Sequence, residues 1–291
     1  MIRLTSRLAD QARRALLKSQ LAFDTKGLDR AQYENLMARP APTLDYVIYF
    51  TPRSGSSRIT DIARKTGRLS LPGECFHPAN VPGMARKLGA RSLPEYVDVI
   101  RRLRNENGVF GCEATSGMIL RTFGSAQAFM AYFGAAQCFW LIREDVVAQA
   151  ISMSKLKQTR VGHAAHSDAA ERAAAEDRFR YDPGDIKRWV HHVLKLERET
   201  EDIFQQFSLS PLRISYEQMV ALSEAEVANV IARHIGVPLI EKTDLATDHV
   251  KLATKRNSEF AARFRAEHAD FLAKVDAERA VLLGRLNRED V

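Results

Sequence analysis

The sequence YVIYFTPRSGSS, residues 46–57, decides the fold of this chain. Residues 46–50 form an uninterrupted run of aromatic and β-branched side chains, which is typical of a parallel strand covered on both faces. The proline, serines and glycine that follow predict a tight turn. A helix is predicted directly after the turn, since an apolar stripe ends where a glycine would cap it, the residues being Ile59, Ile62, Ala63, Thr66 and Gly67.

The turn between this strand and this helix is predicted to bind an anion. Backbone N–H groups would point at the ligand from the positive end of the helix dipole, and Arg53 adds a fixed positive charge. The residues that supply the N–H groups are Ser54, Gly55, Ser56 and Ser57. The local pattern alone leaves an ordinary turn as an equal alternative, and the flanking strand and helix favour a site for one phosphate or sulfate.

Two common phosphate loops are excluded by the residues of the turn. A nucleoside-triphosphatase loop needs a lysine after its glycine to contact the β- and γ-phosphates, and no lysine follows Gly55. A cysteine phosphatase needs a nucleophilic cysteine inside the loop, and none is present.

Composition favours one α/β domain with an anionic ligand. The 291 residues carry 43 Lys and Arg against 36 Asp and Glu, a formal net charge of +7. These charges are spread along the chain, which favours a solvated mixed-charge surface over a nucleic-acid track. The three cysteines, Cys75, Cys112 and Cys138, are far apart and odd in number, which indicates a reducing compartment and disfavours a disulfide framework or a zinc site. No apolar run approaches the ~20 residues that span a bilayer, so we expect a cytoplasmic protein.

The order of the predicted elements gives the fold class. Strands are predicted at residues 46–50, 69–78, 108–112, 137–142 and 212–216, with helices between them at 92–107, 125–133, 145–157 and 184–207. Further helices are predicted at 223–235 and in the charged tail, 258–286. This alternation predicts an α/β fold of three layers, α/β/α, around a central parallel sheet.

Two segments depart from this alternation. Residues 1–42 are predicted to be a basic, amphipathic helical extension, which could lie on anionic lipid or pack on the domain or a partner subunit. The sulfate- or phosphate-binding domain would then be residues 43–291. Within it, residues 158–183 lose the periodic pattern and are interpreted as a lid or loop. His163 and His166 in that segment have no third ligand at a spacing suited to a metal, so no metal is expected.

A second cation is predicted to lie near the anion-binding turn, at the carboxyl ends of the strands. Arg143 follows the strand at 137–142, and Ser152 lies on one face of the helix after it. Ligands of open α/β sheets bind outside the carboxyl ends of the strands, so Arg143 would join Arg53 there. Two anion sites on one crevice suggest a ligand with two phosphates. The alternative is a structural pair between Arg143 and Asp145 or Glu144.

Taken together, these motifs resemble the carbohydrate sulfotransferases typified by trehalose 2-sulfotransferase. The resemblance runs in order from about residue 46 to 265 and includes the turn at 53–57, Thr66-Gly67 and the acid before an aromatic in 72–76. It continues through Arg143, the Asp-Val-Val at 145–147, Gln149-Ala150, Ser152, the Gln-Thr-Arg at 158–160 and the basic segment 255–259.

The resemblance implies a P-loop NTPase-like sulfotransferase fold and a specific reaction. The donor would be 3′-phosphoadenosine 5′-phosphosulfate, with its phosphosulfate on residues 53–57 and its 3′-phosphate on Arg143, Ser152 and Arg256. Glu74 matches the family's general base, a role that also makes chemical sense because an alcohol is a poor nucleophile until a carboxylate takes its proton. Arg53 would stabilise the charge that builds on the leaving oxygen. A homodimer, a carbohydrate or glycolipid acceptor and no nucleic acid are implied as partners.

Three positions depart from the family pattern in regions expected near the acceptor. Glu113 and Ser116 replace a lysine and a tryptophan, and Val161 replaces another tryptophan. Trehalose itself is therefore doubtful as the acceptor. The alternative is a noncatalytic nucleotide-binding or membrane-surface protein on the same fold. Glu74 could also be a surface acid without a role.

Overall fold

The computed structural model describes residues 21–161, 169–241, 244–247 and 254–288. Its centre is a four-stranded, fully parallel sheet in the order β2-β1-β3-β4. The strands are β1 (Leu44–Phe50), β2 (Val109–Ala114), β3 (Gln137–Ile142) and β4 (Leu212–Ser215). The α/β fold with a central parallel sheet is thereby confirmed.

Thirteen helices occur in the described residues. Those before β3 are α1 (Ala31–Met37), α2 (Ser56–Thr66), α3 (Val81–Lys87), α4 (Leu93–Leu103), α5 (Ser116–Phe123) and α6 (Ala126–Phe133). Those after it are α7 (Val146–Thr159), α8 (Ala169–Arg178), α9 (Pro183–Gln206), α10 (Tyr216–Ala221), α11 (Glu224–Ile235), α12 (Lys255–Glu267) and α13 (Ala269–Gly284).

Alternate residues of β1 point to opposite faces of the sheet, and each face carries its own core. Val47 and Tyr49 pack into one cluster with residues of α3, α4, α5 and α6. Tyr46, Ile48 and Phe50 pack into another with residues of α2 and α11. Every one of these five side chains is buried, as expected for a central strand covered on both faces. The three layers predicted from the sequence are therefore present.

The connections of the sheet create the crevice for the site. The chain leaves β1 for β2 on one side and then crosses to β3 on the other side of β1. The loops after β1 and β3 therefore diverge at the carboxyl end of β1, which is where open α/β sheets bind ligands. The turn at residues 51–55 and Arg143 both lie at this end.

The predicted strand at residues 69–78 is wrong. This segment is irregular. Arg104 donates to the carbonyl of Leu71 at 3.0 Å, and Thr60 donates to that of Pro72 at 3.0 Å. The backbone N–H of Glu113 in β2 donates to the carbonyl of Gly73 at 3.3 Å, but the segment forms no strand beside β2. Ser70 has a φ of 65°, which a strand does not allow.

The helical prediction for residues 1–42 holds only in part. Residues 1–20 lie outside the described residues, and 21–30 form turns because Asp24 and Asp29 accept hydrogen bonds from the backbone two residues on, at 3.1 and 2.9 Å. The described part packs on the domain, since Leu36 is fully buried and Arg30 contacts Glu95.

The predicted lid or loop also contains regular structure. Helix α8 lies within it and packs through Ala175, and Phe179 directly after the helix also packs inward, each being 1% exposed. Residues 162–168, including His163 and His166, lie outside the described residues.

Candidate active site

The turn after β1 has the backbone geometry of an anion cradle. Arg53 and Gly55 have φ values of 67° and 88°, and Arg53 is the unusual one because it is not glycine. Left-handed residues in a turn direct successive N–H groups to one side. Helix α2 begins directly after Gly55 without a side-chain cap or an acidic residue in its described first turn, so the positive end of its dipole is available to a ligand.

Glycine is required at position 55 for two reasons. Its φ of 88° is costly for other residues, and a Cβ there would stand 2.6 Å from Cδ2 of Tyr216. Tyr216 also lies under Arg143, whose guanidinium carbon is 4.7 Å from the ring centroid. The first residue of α10 therefore packs against both the cradle and the second cation. The sequence offered no signal for this role of Tyr216.

Two side chains of helix α7 form hydrogen bonds with the cradle. Gln149, fully buried, donates from Nε2 to Thr51 Oγ1 at 2.8 Å and to the carbonyl of Pro52 at 2.7 Å. One helical turn later, Ser152 Oγ accepts a hydrogen bond of 2.9 Å from Arg53 Nε. The Gln and Ser of the family-like segment thus contact the cradle that precedes them by about a hundred residues.

The two predicted cations come together. Arg143 donates to the carbonyl of Arg53 at 3.2 Å, and the repulsion between the two guanidinium groups, after desolvation, contributes to lowering the pKa of Arg53. The predicted alternative pairs of Arg143 are absent from the described residues: Asp145 binds Arg265 at 2.7 Å, and Glu144 accepts from Ser215. The described acid nearest Arg143 is Glu217, at 3.9 Å.

The turn that carries Arg143 is anchored by the C-terminal helix. Arg279 on α13, 2% exposed, donates to the carbonyls of Arg143 at 2.6 Å and Glu144 at 2.7 Å and pairs with the equally buried Glu197 at 2.8 Å. This fixed, charge-assisted contact holds Arg143 in place. The sequence indicated only a charged helical tail here.

Glu74 belongs to a different segment from the cradle. It lies in the irregular loop after α2 and is accessible to solvent. Enough protein surrounds the carboxyl that desolvation raises its pKa, while the nearby His77 opposes this rise. A raised carboxyl pKa is a property that suits a general base working near neutrality. The adjacent Cys75 is buried, and burial raises the pKa of its thiol to about 11, so it is inert.

Arg256, a predicted ligand of the 3′-phosphate, contacts Glu176 of α8 and not the cradle. It lies in the first turn of α12 and binds Glu176 of α8, through the carbonyl and at 3.9 Å from the carboxylate. Glu176 also pairs with Lys155, one turn beyond Ser152 on α7. Arg256 is therefore linked to α7 through Glu176 and Lys155.

Two of the positions that depart from the family pattern are engaged inside the protein. Glu113 is 3% exposed and contacts Thr60 at 2.6 Å, and Ser116 donates to Glu199 at 2.9 Å. Val161 is half-buried. Among the described residues, no group of three His, Cys, Asp or Glu side chains is arranged to hold a metal ion. None of the described helices has the length and apolar character that a membrane crossing requires.

A turn of this geometry with two arginines at the switch point of a parallel sheet is typical of α/β proteins that bind a phosphorylated or sulfated ligand. Comparison with protein families makes this specific: the model of the Stf0 sulphotransferase family matches residues 45–267. The chain belongs to the Stf0 sulphotransferase family, and the enzyme class is sulfotransferase. A comparison with individually curated proteins found no match.

Proposed function

We propose that the enzyme transfers the sulfuryl group of 3′-phosphoadenosine 5′-phosphosulfate to a hydroxyl of a carbohydrate, glycolipid or related acceptor. The observation that carries the proposal is the approach of Arg53 and Arg143 to each other at the uncapped start of α2. Two guanidinium groups that repel each other in a partly desolvated crevice are stabilised when an anion lies between them.

The residues present fit a donor with two anionic ends. Residues 53–57 would hold the 5′-phosphosulfate through backbone N–H groups. The hydroxyl of Ser54 is 1% exposed and, in the described part of the chain, has no hydrogen-bond partner, so it can serve a ligand. Arg143, Ser152 and Arg256 would hold the 3′-phosphate, and Arg256 must then turn from Glu176.

Glu74 would accept the proton of the acceptor hydroxyl. As the acceptor oxygen forms its bond to sulfur, the bond between sulfur and the 5′-phosphate oxygen breaks, and adenosine 3′,5′-bisphosphate leaves. The proton remains on Glu74 until it passes to solvent, to which this side chain is accessible. A positioned carboxylate of this kind contributes about 10²- to 10⁴-fold to the rate.

Arg53 and the N–H groups of the cradle would stabilise the charge that develops on the leaving phosphate oxygen. These groups are fixed before the reaction, because Gln149 and Ser152 hold the cradle from α7. Donors that need no reorganisation stabilise a developing charge most effectively.

The acceptor is proposed to differ from trehalose. Glu113 and Ser116, which stand where the family pattern has a lysine and a tryptophan, have intramolecular partners in Thr60 and Glu199. Neither side chain offers a cation or an aromatic platform to a sugar. We also propose a homodimer, a cytoplasmic location and a membrane contact of residues 1–40.

The test is a transfer assay with the ³⁵S-labelled donor against glycan and lipid extracts, followed by mass spectrometry of the product. At or below about pH 7, Glu74→Gln should bind adenosine 3′,5′-bisphosphate as the wild type does and lose about 10²-fold or more in transfer rate. Glu34→Gln, which alters an exposed acid of α1, is the matched control and should transfer normally.

Unchanged turnover by Glu74→Gln would remove Glu74 from the mechanism. Binding of adenosine 3′,5′-bisphosphate by the wild type without transfer to any acceptor would instead support a noncatalytic nucleotide-binding protein.

A further inference from the structure

Glu113 lies at the junction between the donor cradle and the loop that carries the base. It is near the carboxyl end of β2, opposite Ile48 of β1, and is 3% exposed. Its backbone N–H donates to the carbonyl of Gly73 at 3.3 Å, directly before Glu74. Its carboxyl contacts Thr60 Oγ1 at 2.6 Å and the hydroxyl of Ser56, both on α2. One residue therefore joins the start of α2 to the loop of Glu74.

The hydrogen bonds of Thr60 indicate where the proton of this cluster lies. Thr60 Oγ1 is 3.0 Å from the carbonyl oxygen of Pro72 and 2.6 Å from Glu113 Oε1. The hydroxyl has one proton, and a backbone carbonyl can only accept. If Thr60 donates to Pro72, the second contact needs a proton from Glu113. A protonated Glu113 thus satisfies both contacts, whereas an ionised Glu113 leaves two acceptors competing for one hydrogen.

The surroundings of Glu113 favour the same state. The pKa of Glu113 is raised to about 8. Desolvation is the largest cause and the charge of Glu74 adds to it, against the lowering effects of Thr60, Ser56 and Arg104. The other ionisable groups that face Glu113 are Tyr46 of β1, Cys112 of β2, Cys75 of the loop of Glu74 and Arg104 after α4. The tyrosine and both thiols have raised pKa values and stay neutral near pH 8. Glu74 and Arg104 are thus the charged groups among these neighbours.

We propose that Glu113 is a positioning residue that controls donor binding through its proton: protonated, it ties the cradle to the loop of Glu74, and ionised, it repels the anionic donor. This inference rests on the proposed function, because it assumes that the cradle binds the nucleotide. Glu113 does not act as the base, since it is buried and its carboxyl is engaged by the hydroxyl of Thr60 on α2.

The expected consequence is a loss of donor affinity at alkaline pH. An ionised Glu113 places a negative charge against Ser56, at the helix terminus that attracts the anionic groups of the donor. The carboxylate would then both repel the ligand and neutralise the helix end that binds it. We expect affinity to fall by about tenfold or more between pH 7 and 9.5.

The test is calorimetric titration with adenosine 3′,5′-bisphosphate from pH 6.5 to 9.5, which needs no acceptor. The phosphates of this probe titrate near pH ~6 and keep their charge above pH 7. Wild type should lose affinity above about pH 8, whereas Glu113→Gln, which keeps a hydrogen-bond donor in the same shape, should bind with nearly constant affinity. Glu106→Gln, an exposed acid just before β2, is the matched control and should behave as wild type.

A second variant separates electrostatic control from a merely structural role. Glu74→Gln removes the charge that raises the pKa of Glu113, so the alkaline loss of affinity should begin at a lower pH than in wild type. The pH dependence of binding by Glu74→Gln tests the role of Glu113 even if Glu113→Gln fails to fold. No binding of the probe by wild type at any pH would overturn the proposed function. Binding whose pH dependence is the same in wild type, Glu74→Gln and any folded Glu113→Gln would overturn the role of Glu113 alone.

Discussion

Arg53 Nε donates a hydrogen bond of 2.9 Å to Oγ of Ser152, a residue 99 positions later in the chain. The bond joins the turn after β1 to the second turn of α7 and fixes the direction of a guanidinium whose own backbone is in the left-handed region. In the proposed complex, Ser152 would act on the donor twice, through direct contact with phosphate and through the orientation of Arg53.

Ser152→Ala should raise the KM for the donor by about tenfold, because hydrogen bonds to a charged group contribute about 1.5–3 kcal/mol. Steady-state kinetics with the donor as the varied substrate measure this. The control is Ser154→Ala on the same helix, whose hydroxyl donates to Asp185 at 2.7 Å, away from the cradle. It should lower the Tm without changing the KM. Equal effects of the two variants on KM would contradict the role of Ser152.

Arg143→Gln should weaken binding of adenosine 3′,5′-bisphosphate by about tenfold or more, and the remaining affinity should depend less on salt, since one charge of the site is lost. Calorimetry at two ionic strengths measures both effects. Arg288→Gln is the matched control, because Arg288 is exposed and lies 3.8 Å from Glu144 of the same turn. A similar loss in both variants would mean that Arg143 acts only through the general surface charge.

Gly55→Ala should abolish nucleotide binding at concentrations that saturate wild type. The substitution puts a Cβ 2.6 Å from the ring of Tyr216 and imposes a φ of 88° on alanine, so the cradle must change shape. Gly83→Ala in α3 is the control: its Cβ would meet no atom within 4 Å, and alanine should stabilise the helix by about 0.5–1 kcal/mol. Normal binding by Gly55→Ala would show that the cradle is not the donor site.

The rate of transfer should fall at acidic pH as Glu74 becomes protonated. A general base must be ionised, and desolvation places the pKa of Glu74 above its ordinary value of 4.5, so kcat/KM should be lost at a pH above 4.5. His77 holds that pKa down, so His77→Ala should move the loss to a higher pH. A pH–rate profile of wild type and variant measures this shift. An unchanged profile in His77→Ala would contradict the contact between the two groups.

The elements of the site that depend on local sequence could be predicted from it. The apolar run, the Pro-Arg-Ser-Gly turn and the stripe ending at Gly67 predicted β1, the turn after it and α2 correctly, because burial on both faces, turn chemistry and helix periodicity act over a few residues. The strand expected at residues 69–78 does not form. A strand must pair with a neighbouring strand that can be far away in the chain, and the local sequence does not say which neighbour is available.

The sequence by itself determined the parallel α/β sheet, the tight turn at Arg53 and the family of the enzyme, since these follow from local patterns in a fixed order. Tertiary structure decided what surrounds that cradle. It placed Tyr216 against Gly55, Arg279 in hydrogen-bond contact with the backbone of Arg143, and Glu113 between Thr60 and the loop of Glu74. Such contacts join segments far apart in the chain, and the burial and charge that change the pKa of a side chain exist only after those segments pack together.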